Sequence, residues 1–198
     1  MMLIEETSVS DATLPVEDFK AHLRLGTSFG QQTVQDEVLT GFLRAAIAAI
    51  EARTGKVLIV RGFKWTLSYW RDREGQGLPV APVVQISRLA TVSREGVETT
   101  LSPETYWLEQ DGIKPRLRAR GALLASIPDG GSALVEFEAG YSSDWQGVPA
   151  DLKQAVLLLA SHFYEFRHET SLSDGCMPFG VSSLIERYKT VRLGTGGY

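Results

Sequence analysis

The sequence predicts an α+β protein: a small helical bundle made of the N- and C-terminal helices, with an antiparallel β subdomain inserted between them. Three observations carry this. Apolar residues recur at 3.6-residue spacing from Val34 to Ile50. The period changes to two at Phe63-Lys64-Trp65-Thr66-Leu67-Ser68-Tyr69. A helical pattern returns after Pro149 and runs through Phe166. Strands grouped between runs of helix indicate α+β.

The first helix opens at Leu14-Pro15-Val16-Glu17-Asp18. Proline is tolerated at a helix start, and the acids suit the positive end of the helix dipole. Thr33 with Asp36 and Glu37 resembles a capping signal for a second, longer helix. Val34, Val38, Phe42, Ala45, Ala46, Ala49 and Ile50 form its stripe, and Gly55 supplies a left-handed end. The strand at 63–69 turns one face inward; Trp70 falls on the other and is expected at an interface. Gly75-Gln76-Gly77 reads as a loop. A hairpin follows, from about Val83 to Val92 and Val97 to Leu101, turning at Arg94-Glu95-Gly96. Further strands are expected at Tyr106-Trp107-Leu108 and Leu134–Ala139, kept short or on edges by Pro103, Pro115 and Pro128. The helix after Pro149 is apolar almost all round, so several of its sides are buried, within the fold or against partner subunits. A last short helix is expected from Pro178 to about Arg192. The chain thus reads as one domain: N-terminal helices over 1–55, a β-rich insertion over 56–147, and C-terminal helices and tail over 148–198.

With 198 residues and a net charge of −4, the chain is not built to coat nucleic acid by electrostatics alone. One cysteine, Cys176, forms no internal disulfide and no cysteine metal cluster. No stretch reaches the ~18 apolar residues of a membrane span. The first 18 residues hold five acids and no Lys or Arg, the reverse of a secretory or mitochondrial address. The expectation is a product of the cytoplasm that does not enter a membrane.

The sequence carries few motifs of catalysis or ligand binding. There is no Gly-rich phosphate loop and no nucleophile elbow. His162, Glu165 and His168 lie three apart on the C-terminal helix, but six-residue spacing turns the two histidines roughly 120° from alignment. A packed His162 and a solvated Glu165–His168 pair is the simpler reading. Cys176 reads as a small apolar residue rather than a nucleophile. The expectation is a non-enzymatic protein with no catalytic residue, cofactor or metal.

Lys114, Arg116, Arg118 and Arg120 lie two apart with no acid between them. On an extended strand they would share one side. Two readings stand: contact with a nucleic-acid backbone or an acidic partner, or a solvated face protecting an edge strand.

Several segments, in order and at this spacing, resemble the phage head–tail connector or adaptor family, in the group that includes gene transfer agent adaptors. They are Leu14–Leu25, Ala45–Gly55, Ala139-Gly140-Tyr141 with Val148–Ala155, His162–Arg167, and Met177–Ile185. The resemblance implies a helical bundle with a β insertion. It implies a ring, typically dodecameric, below the capsid portal, which continues the DNA channel and offers a surface to the next neck, stopper or tail protein. DNA would pass through without sequence-specific binding. The resemblance places portal docking on Pro178–Tyr198, with Val181, Leu184, Ile185, Arg187, Tyr188, Lys189, Arg192 and Tyr198 as contact residues. Arg187, Lys189 and Arg192 against Glu186 leave that segment net +2, suited to an acidic surface, and its glycines at 194–197 leave it free to order on binding. The acidic whole suits a conduit through which DNA must slide.

Overall fold

A computed structural model describes residues 1–25, 32–167 and 177–189. His168, Cys176, Arg192, Tyr198 and the glycine run at 194–197 lie outside the described residues. The chain divides into two compact units. A β unit takes Met1–Val9 and Val57–Gly147, and a helical unit takes Ser10–Lys56 and Val148–Tyr198. The first nine residues, expected with the N-terminal helices, therefore go with the sheet.

The β unit contains β1 (Met2–Glu5), β2 (Arg61–Leu67), β3 (Gly75–Gly77), β4 (Val83–Val92), β5 (Glu98–Thr100), β6 (Tyr106–Glu109), β7 (Arg116–Ala119) and β8 (Ser132–Ala139). Five of these form a sheet in the order β1-β2-β8-β4-β5, and three form a second in the order β3-β7-β6. Every neighbouring pair is antiparallel. Alternation turns Phe63, Trp65 and Leu67 of β2 to the same side as Ala133, Val135, Phe137 and Ala139 of β8. Leu89 of β4 joins them, as do Tyr106 and Leu117 of the small sheet, and together they form one core. Phe63 and Phe137 sit directly opposite each other, their rings stacked at 5.6 Å. Such a pair adds about 0.5–1.5 kcal/mol beyond its buried area. The opposite face of the large sheet carries a charge ladder beside buried Leu134 and Ala90. Glu136 meets Arg88 at 3.3 Å and Lys64 at 4.0 Å, and Arg88 reaches Glu98 at 2.6 Å.

Trp70 corrects the expectation of an interface residue. β2 ends at Leu67, so the alternation does not extend to Trp70. Its indole packs into the core and its N–H donates to the Ala125 carbonyl at 2.8 Å. Tyr69, expected inside, is exposed for the same reason. Gly75-Gln76-Gly77, expected as a loop, is a strand because β7 supplies it with a partner.

The helical unit contains α1 (Val16–His22), α2 (Gln32–Thr54), α3 (Ala150–Glu165) and α4 (Phe179–Ile185), the last continuing as a 3₁₀ turn over Glu186–Tyr188. The buried stripe of α2 is Leu39, Leu43, Ala46, Ile47 and Ile50; Val38 and Ala45, expected in it, are exposed because the helix turns the neighbouring face inward. Gly55 closes α2 in the left-handed region at φ 67°, as its sequence position implies. Phe19 of α1 is fully buried, and Lys20 ties α1 to α2 through Asp36 at 2.6 Å. Phe42 meets Tyr164 edge-on at 5.9 Å. The final helix is shorter than the expected run to Arg192: its buried stripe, Val181–Ile185–Tyr188, ends at the 3₁₀ turn and Lys189 is extended.

Two glycines test this account in opposite directions. Gly140 has φ 146°, and a Cβ there would stand 2.4 Å from the Val60 backbone nitrogen. Gly140→Ala should cost about 3 kcal/mol or more. Gly41 lies in the interior of α2 with open space at its Cβ position, so Gly41→Ala should gain about 0.5–1 kcal/mol. Denaturant midpoints of the two variants check both signs.

Candidate partner-docking site

The segment over residues 178–189 is held on α3 by its apolar stripe and by one polar lock. Pro178 caps the start of α4, where a missing N–H costs no helical hydrogen bond. Val181 and Ile185 have no exposed surface, and Tyr188 is buried beside them. The Tyr188 hydroxyl donates to Asp151 Oδ1 at 2.7 Å, in the first turn of α3. Arg187 donates to that hydroxyl at 2.5 Å, pairs with Asp151 Oδ2 at 2.7 Å, and stacks its guanidinium 4.7 Å from the Tyr188 ring centre. Burial, foremost, raises the Tyr188 phenol above the ordinary tyrosine range, so it stays a neutral donor.

The predicted contact residues therefore separate by position. Val181, Ile185 and Tyr188 are committed to the helical unit's own core. Leu184 and Lys189 are half-buried, and Arg187 is exposed. Arg192 and Tyr198 lie outside the described residues. Phe179 is 88% exposed and was missed by the sequence reading. It stands two residues before Val181, about 200° round the helix from the buried stripe, so its spacing excludes it from that stripe. This offset was the available signal: an aromatic in a short helix on the face opposite the core.

Beside α4 lies a cleft of about 570 Å³, with His22, Arg24, Ser161, His162, Glu165 and Gly180 in its lining. His162 packs on Phe166 with ring centres 4.7 Å apart. Among the described residues, no three His, Cys, Asp or Glu side chains converge as metal ligands.

The basic stripe is not one strand. β7 spans only Arg116–Ala119, so Lys114 and Arg120 fall beyond its ends. Acids absent from this stretch of sequence arrive from elsewhere in the unit. Arg116 pairs with Asp72 at 2.6 Å and also donates to the Gly75 carbonyl. Arg118 lies across Gly75, where a Cβ would meet its Cδ at 2.5 Å, and donates to Glu109 at 2.6 Å. That hydrogen bond raises the Arg118 pKa above its ordinary value. Arg120 donates to the Tyr106 carbonyl at 3.1 Å. Two of the four charges are thus neutralised within the unit, and a third is tethered to backbone.

Two substitutions probe the polar lock and the stripe beneath it. Tyr188→Phe removes the hydroxyl that donates to Asp151 and accepts from Arg187, while the direct Arg187–Asp151 pair remains, and should cost about 1–2 kcal/mol. Ile185→Ala opens a cavity under α4 and should cost about 2–5 kcal/mol. Urea unfolding of both variants checks the ordering.

No protein-family model and no curated protein matches the chain. Solved structures do. A chain in the neck of an empty gene transfer agent particle, computed with C6 symmetry, is 48% identical with a TM-score of 0.90. One in the neck of a native particle, computed with C12 symmetry, is 45% identical with a TM-score of 0.86. A third, from the virion of a native particle, is 47% identical with a TM-score of 0.87. Each comparison covers 99% of both chains. Identity at this level over both units, with the same fold, shows that the chain belongs to the head–tail adaptor family of gene transfer agent necks.

Proposed function

We propose that this chain is a structural ring subunit of the particle neck, joining the capsid portal to the downstream neck or tail protein and continuing the DNA channel. The observation that carries the reading is the match over 99% of both chains to proteins of gene transfer agent necks computed with C12 and C6 symmetry. A homo-oligomeric ring of twelve copies accords with those symmetries. The role is assembly rather than catalysis, and it needs no cofactor.

On this reading, the segment after Pro178 docks on the portal. Phe179, Leu184, Arg187 and Lys189 are its accessible members, and Arg192 and Tyr198 extend it. Val181, Ile185 and Tyr188 act from beneath, by holding the segment on α3. An exposed aromatic ring beside cationic side chains is the composition of a protein–protein hot spot. The charge balance suits the channel. Each phosphate neutralised by a protein cation adds affinity through counterion release, so a conduit works best when its arginines are already paired. Arg88, Arg116 and Arg118 are each paired with a carboxylate.

Phe179→Asp tests the docking face without touching the core. Particles carrying it should show filled heads without attached tails by electron microscopy, and the variant should no longer co-purify with the portal protein. Normal numbers of tailed particles would overturn docking through this segment. A neck without a ring of this chain would overturn the adaptor role itself.

A further inference from the structure

The five-stranded sheet ends in two open edges. At one, β1 exposes every residue: Met2 is 57%, Leu3 37% and Ile4 43% accessible, with Met1 before them at 75%. At the other, Glu98, Thr99 and Thr100 of β5 are all exposed. Among the described residues, nothing pairs with the outer side of either strand. Soluble proteins blunt such edges with lysine, proline or bulges. Neither edge strand contains lysine or proline, and the bulges of this sheet lie between β4 and β8, in its interior. Both strands are short and each has one glutamate at one end, but three consecutive apolar residues on an edge without lysine, proline or bulge offer a surface for pairing.

The backbone groups on the two edges match. The Glu6 N–H donates to the Gly62 carbonyl, so the alternation of an antiparallel ladder turns the N–H and C=O groups of Leu3 and Glu5 outward. The Leu101 N–H donates to the Leu89 carbonyl, which by the same alternation turns those of Glu98 and Thr100 outward. Each edge therefore offers two residues, two apart. The acids do not oppose each other. Glu5 is held by Arg61 at 2.9 Å on the core side of the sheet, and Glu98 by Arg88 at 2.6 Å on the other face.

We infer that β1 of one copy adds to β5 of the next, so that neighbouring sheets join edge to edge around the ring. This rests on the ring proposed above. Because the two edges differ, their pairing is head-to-tail, the kind of contact that closes into a ring rather than a two-fold dimer. Four antiparallel steps separate β1 from β5, so they run in the same direction. Copies that share one strand direction therefore pair these edges in parallel. So short a strand pair buries far less than the ~1,000 Å² of a self-sufficient interface, and it forms where the assembled ring holds the copies together.

The test uses assembled particles carrying Ile4→Cys and Thr100→Cys, which share one face of the sheet, in a Cys176→Ser background. A short bismaleimide should produce a ladder of cross-linked dimers, trimers and higher species of this chain, and neither single cysteine should do so. Adding Leu3→Pro removes an outward N–H while leaving the inward ladder to β2. It should abolish the cross-linked ladder with the melting midpoint unchanged. Dimers from Ile4→Cys alone, cross-links from position 4 to a different neck protein, or a ladder that survives Leu3→Pro would each overturn the pairing. An intact neck ring without cross-links would overturn this inference alone. A neck without the ring would overturn both it and the adaptor role.

Discussion

β8 is the strand on which the β unit depends, because both of its edges are occupied and its inward row supplies four core residues. β2 reads against it from Arg61 to Leu67, and β4 from Val83 to Val92. A slip of one residue would turn Phe137 and Val135 outward and bring Glu136 and Glu138 into the core. Burying those carboxylates costs far more than any alternative register recovers. The Phe63–Phe137 stack and the Glu136 ladder on the reverse face hold the same register from opposite sides. The outer strands, including both open edges, inherit their positions from this centre.

In the helical unit, α3 has the corresponding place. It packs against α2 along one side and α4 along another, which is why its sequence is apolar nearly all round. The Asp151–Tyr188–Arg187 lock joins the two ends of this arrangement: the first turn of α3 and the last described turn after α4. Its effect is to present a short, firmly seated segment whose outward residues include a bare aromatic ring. A segment held in this way would lose less conformational entropy on the docking proposed for it than a free peptide would.

Charge is used locally rather than globally. The net −4 comes from interleaved acids and bases, and the arginines most suggestive of nucleic-acid contact meet Asp72 and Glu109 from other strands. Exposed pairs of this kind add little stability, typically under about 1 kcal/mol each. Their consequence is chemical: Arg88, Arg116 and Arg118 are neutralised within the unit rather than left as free surface cations.

Period and punctuation in the sequence were sufficient for the existence of α2 and α3, the β2 alternation as far as Leu67, the β4–β5 hairpin and the left-handed close at Gly55, because each is set by neighbours within a few residues. The α+β class followed from their order. What the sequence could not reveal depended on partners distant along the chain. Met2–Glu5 and Gly75–Gly77 are strands only because β2 and β7 lie beside them. Trp70 is core because β2 stops at Leu67 and the Ala125 carbonyl accepts its N–H. Phe179 is exposed because Val181, Ile185 and Tyr188 turn the opposite side of their segment onto α3. The arginine stripe looked unopposed because its carboxylates lie 44 and 9 residues away. Local spacing determines which residues share a face; only the tertiary structure decides what that face meets, since burial and pairing join residues that no short window contains.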